Sequence, residues 1–272
     1  MTGEAIRWHS RLGHPGPQAL EHLVSASQGV RIRGPTTVEC DACGLSKVKR
    51  QVRRAPRQQP GQAAGERIAV DFHDYEEGID GYTSQMLLTC RATGYIWDYY
   101  LTARTADAII TAFKAFLGHM ERQHSLKVRD FLRDRAIILE PSAPHTQAQN
   151  GGAERSGGVI KDKERAMRTG AKLPHQLWPE IGRTAVYLYN RTPSYRSGWK
   201  TPYDQLHTAS AKLRGIPQPK KQPDQTHLRA FGCKSYAMTS EAQQKVNRKM
   251  RLKPKGWIGF LVGYRSSNIY RI

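Results

Sequence analysis

The sequence predicts an α/β protein: a mixed sheet flanked by helices, with a small helical metal-binding module before it and a small β module after it. Three observations carry this. Short β-like runs at Ile68–Phe72, Met86–Cys90 and Tyr95–Leu101 precede a long amphipathic helix and then further helices. Two histidines and two cysteines stand in metal-ligand spacing within the first 46 residues. A glycine- and aromatic-rich stretch closes the chain.

Taken in order, residues 1–46 hold His9, His14, Cys40 and Cys43 around a short helical pattern, Pro17 to Ser27. The spacing His-x4-His-x25-Cys-x2-Cys supplies two imidazoles and two thiolates, a tetrahedral N2S2 set that suits Zn2+. Four protein ligands leave no open position, so the cluster reads as structural, and a unit this small would draw much of its folding energy from the ion. Residues 47–65 read as a basic linker containing Lys47, Lys49, Arg50, Arg53 and Arg54 among Gln, Pro and Ala. It is either a nucleic-acid contact or a plain solvated tether.

Residues 66–195 form the α/β unit. After its first three strands, Ile109, Phe113, Phe116, Leu117 and Met120 lie at offsets 0, 4, 7, 8 and 11, one apolar stripe of a helix. Ala136–Leu139 is a further strand candidate, and helices follow at Ala153 to Thr169 and Trp178 to Asn190, the last with Pro179 in its first turn. Residues 196–226 read as a linker, loosely structured from 200 onward because Pro, Lys and Gln dominate. Residues 227–272 read as a few short strands, a small barrel-like module cut off at Ile272.

The chain of 272 residues carries 43 Lys+Arg against 23 Asp+Glu, a formal charge of +20. That balance points to a polyanion, DNA or RNA, because each cation laid on a phosphate releases condensed counterions. No apolar run reaches membrane-spanning length and Met1 to Ser10 lacks a signal-type apolar core, so an intracellular chain without a membrane partner is expected. Cys90 and Cys233 read as buried apolar thiols.

In so basic a chain, carboxylates at strand ends and helix heads are candidates for Mg2+ or Mn2+, which take oxygen ligands. Asp71 lies in the run Ile68–Phe72, with Asp74 close enough to be confused with it. Glu154 follows Asn150-Gly151-Gly152-Ala153, a loop-to-helix entry, and Glu154, Gly158, Lys161, Arg165 and Arg168 fall at offsets 0, 4, 7, 11 and 14. One acid would thus head a basic stripe able to follow a phosphate backbone, although Gly157 and Gly158 weaken the helix by about 1 kcal/mol each.

These residues resemble a known family. Trp8-His9-Ser10-Arg11-Leu12-Gly13-His14-Pro15 with Cys40 and Cys43 is similar to the zinc-binding pre-integrase module of Ty1/copia-type retrotransposons. Pro144 through Arg155 resembles that family's segment around its catalytic glutamate. Leu177-Trp178 through Asn190-Arg191-Thr192-Pro193 and Thr201-Pro202-Tyr203 resemble its downstream helix and loop, and Phe231-Gly232-Cys233 with Gly259 to Tyr264 its SH3-like module. The resemblance implies an integrase segment of a Gag-Pol polyprotein with an RNase H-like core. Asp71 would be the first ligand and Glu154 the last of a Mg2+ or Mn2+ site where 3′ hydroxyls of element DNA attack target phosphodiesters. It also implies DNA contacts through Arg155, Lys161, Arg165 and Arg168, a homo-oligomer and action in the nucleus.

One departure stands out. The family's second acid is an Asp followed by Asn or Gly, about thirty-five or more residues before the glutamate. Here 23 residues separate Asp130 from Glu154 and no Asp-Asn or Asp-Gly pair occurs between them. A deletion or misplaced splice near 125–135 explains the shortening, with Asp130 a poor stand-in. The expectation is a weak or inactive catalyst, or a nucleic-acid-binding remnant with no chemistry left.

Overall fold

The computed structural model describes residues 3–46, 63–65, 68–124, 153–217, 222–243 and 254–272, with residues 153–156 and 196 described by backbone alone. The sheet is an antiparallel meander of β1 (Ile68–Asp74), β2 (Ser84–Cys90) and β3 (Ile96–Leu101), in that spatial order. Register pairs Asp71 with Leu87 and Leu87 with Asp98 across the three strands. The strand that would make the sheet mixed, Ala136–Leu139, lies outside the described residues, as does Asp130.

Period-two alternation sorts the side chains. Ile68, Met86, Leu88, Cys90, Trp97 and Leu101 pack on one face against Phe116 and Met120 of α5 (Ala106–His124). Leu87 and Ile96 pack on the other with Ile160 and Met167 of α6 (Ala153–Ala171) and Ile181, Ala185 and Leu188 of α7 (Trp178–Asn190). Every residue of β2 is buried, as expected for a central strand covered on both sides. No described helix is long and apolar enough to cross a membrane.

Among the described residues, four short α-helices come before α5 in the chain: α1 (Gly3–Arg11), α2 (Pro17–Glu21), α3 (Leu23–Ala26) and α4 (Asp41–Ser46). Their Trp8, Leu12, Leu20 and Leu23 belong to the same apolar cluster as α6 and α7, so this module finishes its core on the sheet's helices. The buried Lys163 of α6 fixes the join, donating to the carbonyls of Leu12 at 2.6 Å and Gly13 at 3.2 Å.

Two readings of the sequence need correction. The stretch from 200 to 226 is not loosely structured throughout, because α8 runs over Pro202–Leu213. Thr201 Oγ1 caps it by accepting from the Asp204 amide at 3.1 Å, Pro202 occupies the first turn, and Leu206 is buried against the α5 side of the sheet. Composition averaged over the stretch hides a well-capped helix. Cys233 is half-buried rather than buried, unlike Cys90.

The C-terminal residues form two separate antiparallel pairs: β4 (Lys234–Met238) with β5 (Gly256–Phe260), and β6 (Gly263–Tyr264) with β7 (Tyr270–Arg271). A short α9 (Ser240–Gln243) follows β4. Buried Glu180 of α7 holds this end through Arg271 at 2.7 Å, and pairs with Arg183 of its own helix at 2.5 Å. Thr184 Oγ1 adds a bond to the Val262 carbonyl at 2.9 Å.

Asn190, buried at the end of α7, closes both backbone groups of Ile96 on the edge strand: its Nδ2 donates to the Ile96 carbonyl at 2.7 Å and its Oδ1 accepts from the amide at 2.9 Å. Asn190→Ala leaves both groups unmet in the interior and is expected to cost roughly 2–4 kcal/mol. Urea unfolding that shows less than about 1 kcal/mol would mean that water reaches Ile96.

Candidate metal sites and basic groove

The N-terminal cluster is assembled by two turns that the sequence makes unusual. Gly13 and His14 both take left-handed backbone, φ +64° and +62°, which swings His14 back over α1 beside His9. Asp41 then opens α4, so that Cys40 and Cys43 lie one turn apart. His9 Nε2 and His14 Nδ1 come to 3.1 Å of each other, Cys43 Sγ to 3.2 Å of His9 Nε2, and Cys40 Sγ to 3.3 Å of His14 Nδ1. All four ligand atoms lie within 4.8 Å of one another. His9 Nδ1 sits 3.0 Å from the Pro15 carbonyl, which accepts its proton and leaves Nε2 bare for a metal, the orienting device of metal-binding histidines. Two nitrogens and two sulfurs converging from buried and half-buried side chains can hold an ion of the Zn2+ type.

The second site is built where β1 crosses the head of α6. Alternation along β1 turns Ala69, Asp71 and His73 toward α6 while Val70 and Phe72 face α5. Asp71 comes so close to Gly157 that a Cβ there would stand 2.0 Å from Asp71 Oδ2 and 2.8 Å from His73 Nε2. Gly157 is therefore the space into which the strand's acid fits, and any side chain would push it out. Glu154 lies one turn earlier on α6, and residues three apart share a helix face. Asp74, by contrast, turns away: it accepts from Ser84 Oγ at 2.8 Å and pairs with Arg104 at 3.3 Å on the exposed side. Asp71 and the helix that carries Glu154 are thus brought together, and Asp74 is not. Asp71 Oδ1 takes the Phe72 amide at 3.0 Å, and Oδ2 faces His73 Nε2 at 3.1 Å.

The basic stripe lies on the outer side of α6, where Lys161, Arg165 and Arg168 are exposed. They wall a cavity of about 400 Å3 whose other side is the stacked pair Tyr75 and Trp178, ring centroids 4.2 Å apart, with Glu164 in its lining. Arg165 is partly engaged, with Asp162 at 3.3 Å and the Ser46 carbonyl at 2.9 Å. Arg155 is described by backbone only, and Lys47, Lys49, Arg50, Arg53 and Arg54 lie outside the described residues.

Sequence reasoning missed a buried polar network between the sheet and α6. Tyr75 donates to Glu164 Oε2 at 2.7 Å, while Gln85 Nε2 donates to Glu164 Oε1 and to the Tyr100 hydroxyl, each at 3.2 Å. Burial pushes the Glu164 carboxyl up to about 7, against the pull of Tyr75, His73, Gln85 and Lys161. It likewise pushes Asp98, hydrogen-bonded to Tyr100, up to about 6. One signal was available: Gly157, Ile160, Glu164 and Met167 fall on one buried row of α6, so a carboxylate occupies a core position.

Comparison with known proteins follows the same lines. The chain is 26% identical over 262 residues to the retrovirus-related Pol polyprotein from transposon TNT 1-94 of Nicotiana tabacum, covering 87% of this chain and 18% of that one. It is similar to retrotransposon Pol polyproteins. The transposon RE2 and RE1 polyproteins of Arabidopsis thaliana match at 27% and 26% identity, over 84% and 90% of this chain and 16% and 17% of theirs. The likeness agrees with the Ty1/copia-type, integrase-like identity carried by the motifs, and the chain spans less than a fifth of each polyprotein. No protein-family model matches it. Among solved structures it resembles a chain of the cryo-EM structure of the simian T-cell lymphotropic virus intasome in complex with PP2A regulatory subunit B56 gamma. That match has a TM-score of 0.43 and 15% identity, covering 95% of this chain and 88% of that one.

Proposed function

We propose that the chain is the DNA-binding and DNA-joining unit of a retrotransposon Pol polyprotein, an integrase-like polynucleotidyl transferase. The observation that carries this is the seating of Asp71 against Gly157, one turn from Glu154, in a chain similar to those polyproteins over most of its length. The donor set fits a divalent ion that prefers oxygen: a carboxylate on a strand, a carboxylate at a helix head, and a glycine that lets the strand's acid approach the helix. Such an ion, when bound, polarises the scissile phosphodiester and favours attack by a 3′ hydroxyl.

Around it, Asp71 and Glu154 would hold the ion, and Lys161, Arg165 and Arg168 would take backbone phosphates running along α6. The His2Cys2 cluster, filled by Zn2+, would lock the N-terminal module onto α6 through Lys163. DNA is the partner, element ends and target alike, with a second copy of the chain to hold both ends and the nucleus as the place of action. The second reading is a binding remnant without chemistry, favoured by the short interval between Asp130 and Glu154.

The test is a strand-transfer assay with Mn2+ or Mg2+ beside a salt titration of duplex binding. Affinity is expected to fall steeply with salt, and replacing Arg165 and Arg168 by alanine should flatten the log–log slope by about 2. Joining is expected to be weak and lost in Asp71→Asn. Salt-sensitive binding with no joining leaves the second reading standing, and salt-insensitive binding removes both.

A further inference from the structure

Three arginines from distant parts of the sequence gather at one surface with no acid to meet them. Arg7 and Arg11 stand four apart on α1, so they share a face of that helix and repel each other. Arg229 joins them because α1 and the segment around Arg229 close one apolar cluster, in which Trp8, Leu12, Leu228 and Phe231 are buried and Tyr264 packs alongside. The Tyr264 hydroxyl fixes the Arg229 backbone, donating to its carbonyl at 2.8 Å and accepting from its amide at 2.9 Å. The exposed Arg229 guanidinium folds over its own turn, with Nη1 2.9 Å from the carbonyls of Thr226 and Leu228. Half-buried Arg11 lies over the Trp8 ring, 5.0 Å from its centre.

Charge at this surface is unbalanced. Burial first, then repulsion from Arg229 and Arg7, holds Arg11 below its ordinary value against the pull of Tyr264. Glu4, the one acid on α1, accepts the Arg33 amide at 2.8 Å. Among the described residues no carboxylate forms an ion pair with Arg7, Arg11 or Arg229. Arg33 and Arg31, whose carbonyl accepts from Trp8 Nε1 at 3.2 Å, add two more exposed cations beside α1. A row of phosphates relieves such repulsion, through charge-assisted hydrogen bonds to each guanidinium and release of condensed counterions.

This surface is separate from the groove. The N-terminal module packs on the side of α6 that carries Lys163, which donates to the Leu12 and Gly13 carbonyls. At about 100° per residue, Lys161, Arg165 and Arg168 lie roughly 140–160° around α6 from Lys163. One straight duplex cannot run along both.

We propose that Arg7, Arg11 and Arg229 hold backbone phosphates of a second DNA duplex, across α6 from the duplex in the groove. This rests on the reading of the chain as a DNA-joining unit and adds to it a separate seat for the other partner in the joining.

The experiment uses the full chain with its His2Cys2 cluster filled by Zn2+ and a short fluorescent duplex, counted per chain at low salt by analytical ultracentrifugation. The expected result is two duplexes per chain, falling to one when Arg7, Arg11 and Arg229 are all replaced by alanine. That loss should take about 3 from the summed log–log salt slope. A control that replaces the exposed Lys114, Lys200 and Lys212 by alanine sheds the same charge and should keep both duplexes. The unaltered chain gives a second measurement that needs no variant to fold. Saturating duplex should slow modification of the three arginines by phenylglyoxal several-fold, read residue by residue by mass spectrometry, and inorganic tripolyphosphate at equal phosphate should not. One duplex per chain in the unaltered protein, a control that also loses a duplex, arginines that react as fast with duplex present, or equal protection by tripolyphosphate each overturns the proposal. The groove stands or falls separately, on the slope change from Arg165 and Arg168. Binding that salt does not weaken fails the DNA-joining reading and this second seat with it.

Discussion

If His9, His14, Cys40 and Cys43 hold an ion, chelating it or replacing Cys43 by serine is expected to loosen the N-terminal module around the cluster and lower the stability of the whole chain by about 5 kcal/mol or more. Structural zinc supplies roughly 10–16 kcal/mol to isolated zinc-finger peptides, which have almost no core. This module is better supported, because Trp8, Leu12, Leu20 and Leu23 are buried with residues of α6 and α7, so part of its stability survives without metal. What does not survive is the turn at Gly13 and His14. His14 is held in left-handed backbone, costly for a residue with a Cβ, and a bond to an ion in the cluster would offset that cost. Once His14 swings out, the Leu12 and Gly13 carbonyls leave buried Lys163 of α6, whose ammonium is then poorly met in the interior. The loss therefore spreads from the cluster into α6. A chain of this size should melt about 10–20 °C lower in EDTA. Circular dichroism checks the shift, and mass spectrometry of the native protein counts the ion. An unchanged melting temperature, with no zinc in the untreated protein, would mean that the four ligands pack as ordinary polar side chains.

The elements that the sequence revealed are those whose periodicity is set locally. Ile68–Phe72, Met86–Cys90 and Tyr95–Leu101 fall within strands Ile68–Asp74, Ser84–Cys90 and Ile96–Leu101 give or take a residue. Trp178 to Asn190 matches its helix at both ends, because Pro179 marks the start and the apolar stripe runs unbroken. The helix at Pro202–Leu213 was hidden for the opposite reason: its burial rests on distant partners such as the α5 side of the sheet, not on a strong stripe of its own. The site divides in the same way. Asp71 and the His2Cys2 spacing are legible because residue type and position along the chain carry the signal. Gly157 read as a weak point in a helix, and only the approach of Asp71 shows why a glycine stands there. The polar network could not be read at all, since Gln85 and Glu164 are 79 residues apart and the direction of each bond depends on the next partner.

Glu164 gives that network a measurable consequence. Its carboxyl is buried, and burial lifts it from an ordinary 4.5 to about 7, so between these values the folded chain keeps a proton that the unfolded chain releases. Stability falls wherever the folded state binds more protons, so Glu164 lowers stability as pH rises from about 4.5 to about 7 and has a constant effect above. The size is on the order of 3 kcal/mol. Asp98, raised to about 6, adds a slope of the same sign at lower pH, whereas His124, lowered to about 4 by burial and by His207, His119 and Arg214, opposes it. The difference between the natural chain and Glu164→Gln isolates Glu164 from both. Glutamine keeps the shape, accepts from the Tyr75 hydroxyl and carries no charge at any pH. The variant is expected to match the natural chain within about 1 kcal/mol at pH 5 and to exceed it at pH 8 by most of that 3 kcal/mol. Urea unfolding at the two values decides. A difference that does not grow with pH would place water or a compensating cation beside Glu164. The nearest candidate is Lys161, which lines the same cavity and already pulls the carboxyl down. Duplex DNA laid on this groove should keep that acid protonated to higher pH, because phosphates that exclude water and draw cations such as Lys161 away both disfavour the carboxylate. The same urea series repeated with duplex DNA bound then reads whether the groove and the network beneath it act as one unit.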